Sequence, residues 1–186
     1  NGGGALNYLQ DVGLIQMEYS RECHPRELNP NAKLKRRDAR HRISHKVLFS
    51  HPFVRFWFYF ITPQIVNIKK KNYEVLHSNI TQHLNSYTSL IFEELSEVLL
   101  NYNLRDAQII SSGSYWDANL EIDILTLTSD HNIYVSECKW TNHFINKKEL
   151  HKLNEKCVKL NIEPTQIILF AKRGFSKELE QLKSSS

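Results

Sequence analysis

No stretch of this sequence is apolar for long enough to cross a membrane. A spanning helix needs about 18 consecutive apolar residues, and the longest candidate, Phe53 to Val66, is interrupted by Arg55 and Pro63. The start, Asn1 to Gly4, lacks a basic and apolar leader, so we expect no signal peptide. We therefore expect no membrane partner. From the missing Met at position 1 and the glycine-rich start we expect either a fragment or an artificially chosen boundary.

Cysteine is also scarce. Cys23, Cys138 and Cys157 are odd in number and show no paired spacing, which argues against a disulfide framework and favours a reduced, cytoplasmic setting. No Cys and His pattern is typical of a zinc site. With 41% hydrophobic and 24% charged residues over 186 positions, the composition is that of a globular chain. It has room for one domain of ordinary size and a smaller one.

Positive charge is modest overall, at +4, but it is concentrated in one segment. Within it only Asp38 opposes the basic residues, which are Lys33, Lys35, Arg36, Arg37, Arg40, Arg42 and Lys46. Such a segment can neutralise several phosphates, so we predict binding to nucleic acid that does not depend on base sequence and weakens with salt. The alternative is a solvated loop with no ligand.

Two neighbouring apolar runs carry the residues most indicative of function. Leu120 to Leu127 alternates apolar and polar residues and predicts a β-strand, and Ile133 to Cys138 predicts the returning strand after a turn. Residues two apart on a strand share a face, so Glu137 and Lys139 should point the same way. In a hairpin, Asp123 can lie beside them.

These residue types together favour metal-assisted hydrolysis of a phosphodiester. Two adjacent carboxylates repel one another unless a cation holds them together, and hard oxygen ligands suit Mg²⁺ or Mn²⁺. A lysine beside such a cation can orient a water molecule or stabilise charge that develops on a phosphate. The alternative is a solvated polar face, since hairpins often carry Asp, Glu and Lys.

The arrangement of Asp123, Glu137 and Lys139 resembles the PD-(D/E)XK nuclease signature. The wider sequence resembles the DUF234 family, the C-terminal region of archaeal and bacterial AAA/STAND-type ATPases. The segments that carry this resemblance are Asp11 to Ile15, His51 to Phe60, Gly113 to Asp117, Glu121 to Ile124 and Glu137 to Trp140. Tyr115 stands where the family pattern has Trp, and His51 where it has Asp, but neither is a metal-binding acid.

The resemblance implies a fold, a site and partners. The fold is a restriction-endonuclease-like mixed α/β sheet flanked by helices and preceded by a partial winged helix. Asp123, Glu137 and the backbone carbonyl of Cys138 would hold the metal, and Lys139 would position the attacking water. Glu93, which follows Phe92, would complete the site. The implied partners are nucleic acid, with DNA favoured, and an ATPase domain in the same or a partner chain.

Two alternatives remain open. Glu94 could replace Glu93, because it flanks an apolar row that includes Ile91 and Val98. The whole module could also be catalytically silent and bind DNA or its ATPase partner. A P-loop is absent from the sequence, so no ATP hydrolysis is assigned to this chain.

Periodicity predicts the order of the remaining elements. Residues 1–75 form the partial winged helix and an aromatic linker helix, and residues 76–186 form the nuclease-like domain. In the first part we predict a helix over Ala5 to Asp11, strands over Leu14 to Tyr19 and His41 to Phe49, and a core-packed aromatic helix over Phe53 to Ile61, closed by Pro63. The predictions for the second part are a helix from Ser78, a strand over Gln108 to Ser111, a helix over Asn146 to Leu160, a strand over Thr165 to Ala171 and a helix over Phe175 to Leu182.

Three further predictions concern packing. The long helix from Ser78 should bury an apolar stripe formed by Ile80, Leu84, Tyr87, Ile91, Leu95, Val98 and Tyr102. Trp140 should point away from the acids and pack between sheet and helix. Trp116 could line the cleft and stack on an unpaired base, or serve only to hold a loop in place.

Overall fold

A computed structural model of the chain describes residues 2–21, 33 and 45–183. It divides into two compact units: the first comprises Asn1–Tyr19 and His45–Ile91, and the second comprises Ser20–Ser44 and Phe92–Ser186. One helix runs unbroken through residue 75. The predicted division into domains 1–75 and 76–186 stays a prediction, because compact units and domains need not share a boundary.

The first unit opens with a helix and two paired strands. Helix α1 (Gly2–Asp11) ends before Gly13, whose φ of +71° favours glycine, and strand β1 (Ile15–Glu18) follows. Strand β2 (Lys46–Phe49) pairs with β1 in antiparallel fashion. This order is the one predicted for the back half of a winged helix. Residues 41–44 of the predicted second strand lie outside the described residues.

A helical segment rich in aromatic residues follows. It consists of α2 (Pro52–Phe56), a π-helical turn (Trp57–Ile61), a 3₁₀ turn (Thr62–Gln64) and α3 (Ile65–Lys69). Pro63 does not close the helical path, contrary to prediction. It occupies the first turn of the 3₁₀ segment, where its missing N–H is not needed.

The prediction that this aromatic segment packs in a core is confirmed for only part of it. Phe60 is fully buried, and its ring lies 4.9 Å from that of Phe56 and 5.4 Å from that of Tyr87. Other rings of the segment stay exposed even where they touch a neighbouring ring, as Tyr59 does with Tyr87 at 6.3 Å and Phe58 with Phe49 at 5.0 Å. The exposed residues are Phe53, Trp57, Phe58 and Tyr59.

Helix α4 (Tyr73–Asn103) is longer than predicted and buries a different row. In the predicted stripe, Leu84, Leu95, Val98 and Tyr102 are exposed, so the prediction is wrong for these residues. The row buried in the second unit contains Ser96 and Leu100. The hydroxyl of Ser96 donates to the carbonyl of Phe92 at 2.7 Å, which satisfies it away from water. Because this row contains the polar residue Ser96, the pattern of apolar residues in the sequence did not predict that it is buried.

The elements that follow α4 in the second unit are β3 (Ile109–Ser111), β4 (Tyr115–Trp116), β5 (Glu121–Ile122), β6 (Ile124–Thr128), β7 (Ile133–Lys139), α5 (Lys147–Leu160), β8 (Gln166–Ala171) and α6 (Lys177–Lys183). Four of these strands form a mixed sheet with the order β3-β6-β7-β8. Strands β3, β6 and β7 are antiparallel neighbours, whereas β8 runs parallel to β7. The two short strands β4 and β5 form a separate hairpin.

Helices flank this sheet, which confirms the predicted mixed α/β class. On one face, Leu153 and Cys157 of α5 pack with Val135 of β7. On the other face, Leu100 of α4 packs with Cys138 of β7. The end of the interior strand β7 is therefore covered from both sides. Within the described residues, no helix combines the length and hydrophobicity that crossing a bilayer requires.

Candidate active site

The predicted strand over Leu120 to Leu127 is broken at Asp123, which lies between β5 and β6. Ile122 packs in the cluster on the α5 face, whereas Ile124 packs with Cys138 on the α4 face. Residues two apart on an unbroken strand would share a face, so the alternation shifts by one at Asp123. Such irregularities re-aim side chains, and here the shift turns the carboxylate toward β7.

Asp123 binds the backbone of β7 directly. Its Oδ2 accepts a hydrogen bond from the amide of Cys138 at 2.7 Å. The amide and carbonyl of a strand residue project to the same side, so the carbonyl of Cys138 also points to the side where Asp123 lies. The two groups predicted to share a metal with Glu137 thus lie on one side of β7.

The pKa of Asp123 reports its surroundings. Burial raises this pKa, and the negative charge of Glu137 raises it further. The amide of Cys138 and the ammonium groups of Lys139 and Lys156 act in the opposite direction without cancelling the rise. Asp123 is therefore a carboxylate held near a second carboxylate, and positive charge beside it is insufficient to offset that cost.

Glu137 is buried, and each of its oxygens accepts from a different lysine. Nζ of Lys139 donates to Oε1 at 2.6 Å, and Nζ of Lys156 donates to Oε2 at 2.7 Å. Burial alone would lower the pKa of Lys139, but the hydrogen bond and charge of Glu137 outweigh it and raise this pKa. Lys139 is thus an ammonium group at neutral pH.

Lys156 was not among the predicted site residues. The sequence pattern assigns it to the solvent-facing lysines of α5. Its position, one residue before Cys157 and three after Leu153, places it at the edge of the row that packs on the sheet. A lysine at such an edge can extend its ammonium group past the apolar row. The helical period of α5 could have indicated that Lys156 lies at the edge of the buried row, but not that its partner is Glu137.

Glu93 lies near the same part of β7. Burial raises the pKa of the Cys138 thiol to about 12, and the charges of Asp123, Glu93 and Glu137 add to the rise. The charges of all three acids therefore act on the Cys138 thiol. The case for Glu94 assumed a buried row through Val98, which is exposed. Glu93 instead adjoins Phe92 and the row that faces the sheet.

The residues around Cys138 fit a divalent cation in ligand type. Asp123 and Glu137 supply hard oxygen atoms, and a cation between them would relieve the repulsion that raises the pKa of Asp123. One lysine would have to leave Glu137 to free an oxygen. Within residues 2–21, 33 and 45–183, no three side chains of His, Cys, Asp or Glu are grouped as metal ligands. The predicted set relies instead on a backbone carbonyl as its third ligand.

The two motif tryptophans hold different positions. The ring of Trp140 lies 5.2 Å from that of Phe92 in α4, and Nζ of Lys172 lies 4.6 Å from its centroid. The predicted packing of Trp140 against a helix is confirmed. Trp116 is half-buried in β4, and its amide and carbonyl both bond to the hydroxyl of Ser20. These contacts fix its backbone, and base stacking by its ring stays a prediction.

Most of the predicted basic segment lies outside the described residues. Among its predicted nucleic-acid contacts, Lys33 is exposed. The remaining ones fall in the undescribed part, namely Lys35, Arg36, Arg37, Arg40 and Arg42. Their role stays a prediction.

The fold and the site define a mixed α/β domain in which a buried glutamate of an interior strand is grouped with a half-buried aspartate and two partly exposed lysines. The family of archaea bacterial proteins of unknown function, DUF234, matches residues 57–153, slightly more than half of the chain. The chain therefore belongs to the DUF234 family. The matched region includes Glu93, Asp123, Glu137 and Lys139. No curated protein and no solved structure matches the chain at a significant level.

Proposed function

We propose that this chain hydrolyses phosphodiester bonds of nucleic acid, with DNA favoured over RNA, in a reaction that requires Mg²⁺ or Mn²⁺. One observation carries the proposal. Asp123 and Glu137 are coupled carboxylates next to the backbone of Cys138, and the ammonium group of Lys139 lies 2.6 Å from Glu137. This resembles the PD-(D/E)XK constellation in residue type, spacing and placement.

Asp123, Glu137 and the carbonyl of Cys138 would hold the metal. A bound divalent cation would lower the pKa of a water molecule and polarise the phosphodiester. The chain's own contribution is to keep two carboxylates close together in a site that is largely withdrawn from water. The strand break at Asp123 and the hydrogen bond from Cys138 fix that carboxylate.

Lys139 would act as a charged hydrogen-bond donor to the water molecule or the phosphate. Its raised pKa keeps it charged at neutral pH, so it orients water or stabilises charge on the phosphate and does not take up a proton. Glu93 would supply a further carboxylate from α4. An ATPase domain in the same or a partner chain is the proposed context, and it rests on the sequence resemblance alone.

A second candidate is a catalytically silent module that binds DNA or an ATPase partner. One observation favours it: both oxygens of Glu137 are already bound to ammonium groups. A buried cluster balanced in this way can serve stability without any metal.

Cleavage assays distinguish the two candidates. Supercoiled plasmid DNA and single-stranded RNA are incubated with the chain in Mg²⁺, Mn²⁺ or EDTA. We expect metal-dependent cleavage, reduced about 10²- to 10³-fold by Lys139→Ala, the loss typical of one electrostatic donor. The matched control is Lys152→Ala, which removes a lysine of α5 whose side chain is 64% exposed. Absence of cleavage in every metal, or equal cleavage by Lys139→Ala, would favour the silent module.

A further inference from the structure

Glu137 receives its two lysines from different elements. Lys139 lies two residues further along β7, whereas Lys156 lies on α5, 19 positions away in sequence. Each lysine takes a separate oxygen, at 2.6 Å and 2.7 Å. A carboxylate bound at both oxygens by groups from two directions is restricted in rotation. The pairing therefore fixes the orientation of Glu137 as well as its charge.

The two lysines differ in the elements that carry them. Their side chains are similarly exposed, 26% for Lys139 and 25% for Lys156, so exposure does not separate them. What differs is the backbone. Lys156 lies between Leu153 and Cys157, both essentially fully buried, on a helix that packs on the sheet. Lys139 is the last residue of β7, paired with Ala171 of β8, and so belongs to the same strand as Glu137.

Charge also favours a division of roles. Asp123 and Glu137 carry two negative charges, and Lys139 and Lys156 carry two positive charges, so the four side chains are balanced without a metal. A divalent cation that neutralises both acids would leave the charges of both ammonium groups uncompensated. The phosphate of a substrate supplies a negative charge that one of these ammonium groups can bind.

We propose that Lys156 is a positioning residue, which holds Glu137 from α5 while Lys139 turns to the water molecule and phosphate. This inference rests on the proposed function. When Lys139 leaves Glu137, Lys156 is the partner that stays, and the carboxylate keeps its orientation. Loss of Lys156 leaves Glu137 without a fixed partner during the reaction, and small displacements of a reacting group cost up to about a hundredfold in rate.

Methionine and arginine substitutions test this role. Lys156→Met keeps an unbranched stem and removes the charge, Lys156→Arg keeps the charge, and Lys152→Met is the control on the same helix. All are assayed below the melting temperature of each variant, so that the chains stay folded. We expect Lys156→Met to lower kcat about 10- to 100-fold with little change in KM for DNA. Lys156→Arg should recover most of the rate, and Lys152→Met should match the unaltered chain.

A double substitution separates positioning from a merely structural role. If Lys156 acts through the orientation of Glu137 relative to Lys139, Lys156→Met should cost less than about threefold when Lys139 is already Met. An equal loss in both backgrounds, or kcat for Lys156→Met equal to that of Lys152→Met, would overturn the inference and leave the proposed function intact. No metal-dependent cleavage by the unaltered chain would overturn both.

Discussion

The aromatic segment of the first unit and the end of β7 in the second unit depart from the usual distribution of side chains in opposite directions. In the aromatic segment, Phe53 is 71% exposed. At the end of β7, Glu137 is only 8% exposed. Apolar residues are often exposed at a protein surface, whereas glutamate is rarely buried without a partner. The exposed rings are therefore ordinary, whereas the buried glutamate depends on its partners.

The difference shows where the chain is sensitive to substitution. Exposed rings gain little from the fold, so their removal should cost little. A buried carboxylate is tolerated only because two ammonium groups compensate it, so removal of one member leaves the others uncompensated. Within the aromatic segment, the buried ring of Phe60 is the one whose removal should be costly, and the exposed rings can be compared with it.

The largest effect is expected inside the aromatic segment. Phe60→Ala should destabilise the chain by about 3–5 kcal/mol, because it leaves a cavity beside Phe56 and Tyr87. Phe53→Ala should change stability by less than about 0.5 kcal/mol. Urea unfolding followed by circular dichroism measures both. Similar losses for the two variants would mean that Phe53 is covered in solution.

Glu137→Ala should cost about 3 kcal/mol. This is the low end for breaking a buried ion pair, chosen because the two lysines are about one quarter exposed. Glu178→Ala, which breaks the exposed pair with Lys147, is the control and should cost less than about 1 kcal/mol. The same unfolding measurement applies. If the two variants are equally stable, the cluster at Glu137 is not a buried one.

Asp123→Asn should raise the stability of the chain at neutral pH, whereas Glu137→Ala lowers it. The pKa of Asp123 is raised in the folded chain, so folding disfavours the ionised form. The cost appears as pH rises from the unfolded pKa through the folded pKa, and is absent below the unfolded one. In EDTA at pH 7 the Asn variant should be more stable by about 0.5–2 kcal/mol, and near pH 3 the difference should vanish. A variant that is less stable at pH 7 contradicts this assignment.

The smallest effect concerns the basic segment. Replacing Arg36, Arg37 and Arg40 by Ala should flatten the dependence of log affinity on log salt by up to about 0.9 for each phosphate that is no longer neutralised. Fluorescence anisotropy with a labelled duplex at several salt concentrations measures the slope. Glu137→Ala should leave that slope nearly unchanged. An unaltered slope in the triple variant would show that the segment does not bind nucleic acid.

Local patterns predicted much of the second unit. Alternating apolar residues and a turn between them are sufficient to place Asp123, Glu137 and Lys139 on neighbouring segments. The break at Asp123 could not be predicted in this way, because it depends on Ile122 and Ile124 packing on opposite faces. The contact of Lys156 with Glu137 is also non-local, since it requires α5 to pack on β7.

Helix α4 shows a different limit of sequence patterns. It carries two apolar rows, and periodicity cannot decide which of them meets a sheet. The predicted row, with Leu95 and Val98, is more hydrophobic than the buried row, which includes Ser96. The choice is made by tertiary packing. In the aromatic segment, likewise, composition indicated rings on every side but not which of them would be buried.

The buried thiol of Cys138 provides a way to follow motion in this domain. Burial raises the pKa of this thiol to about 12, and Cys138 is only 5% exposed. At neutral pH the thiol is therefore almost entirely protonated and shielded from alkylating reagents. Modification of Cys138 therefore requires β7 and α4 to separate. The rate at which Cys138 is labelled, read by mass spectrometry of its peptide, therefore measures how often the sheet opens locally. Ligands that stabilise the acids beside Cys138 should lower this labelling rate.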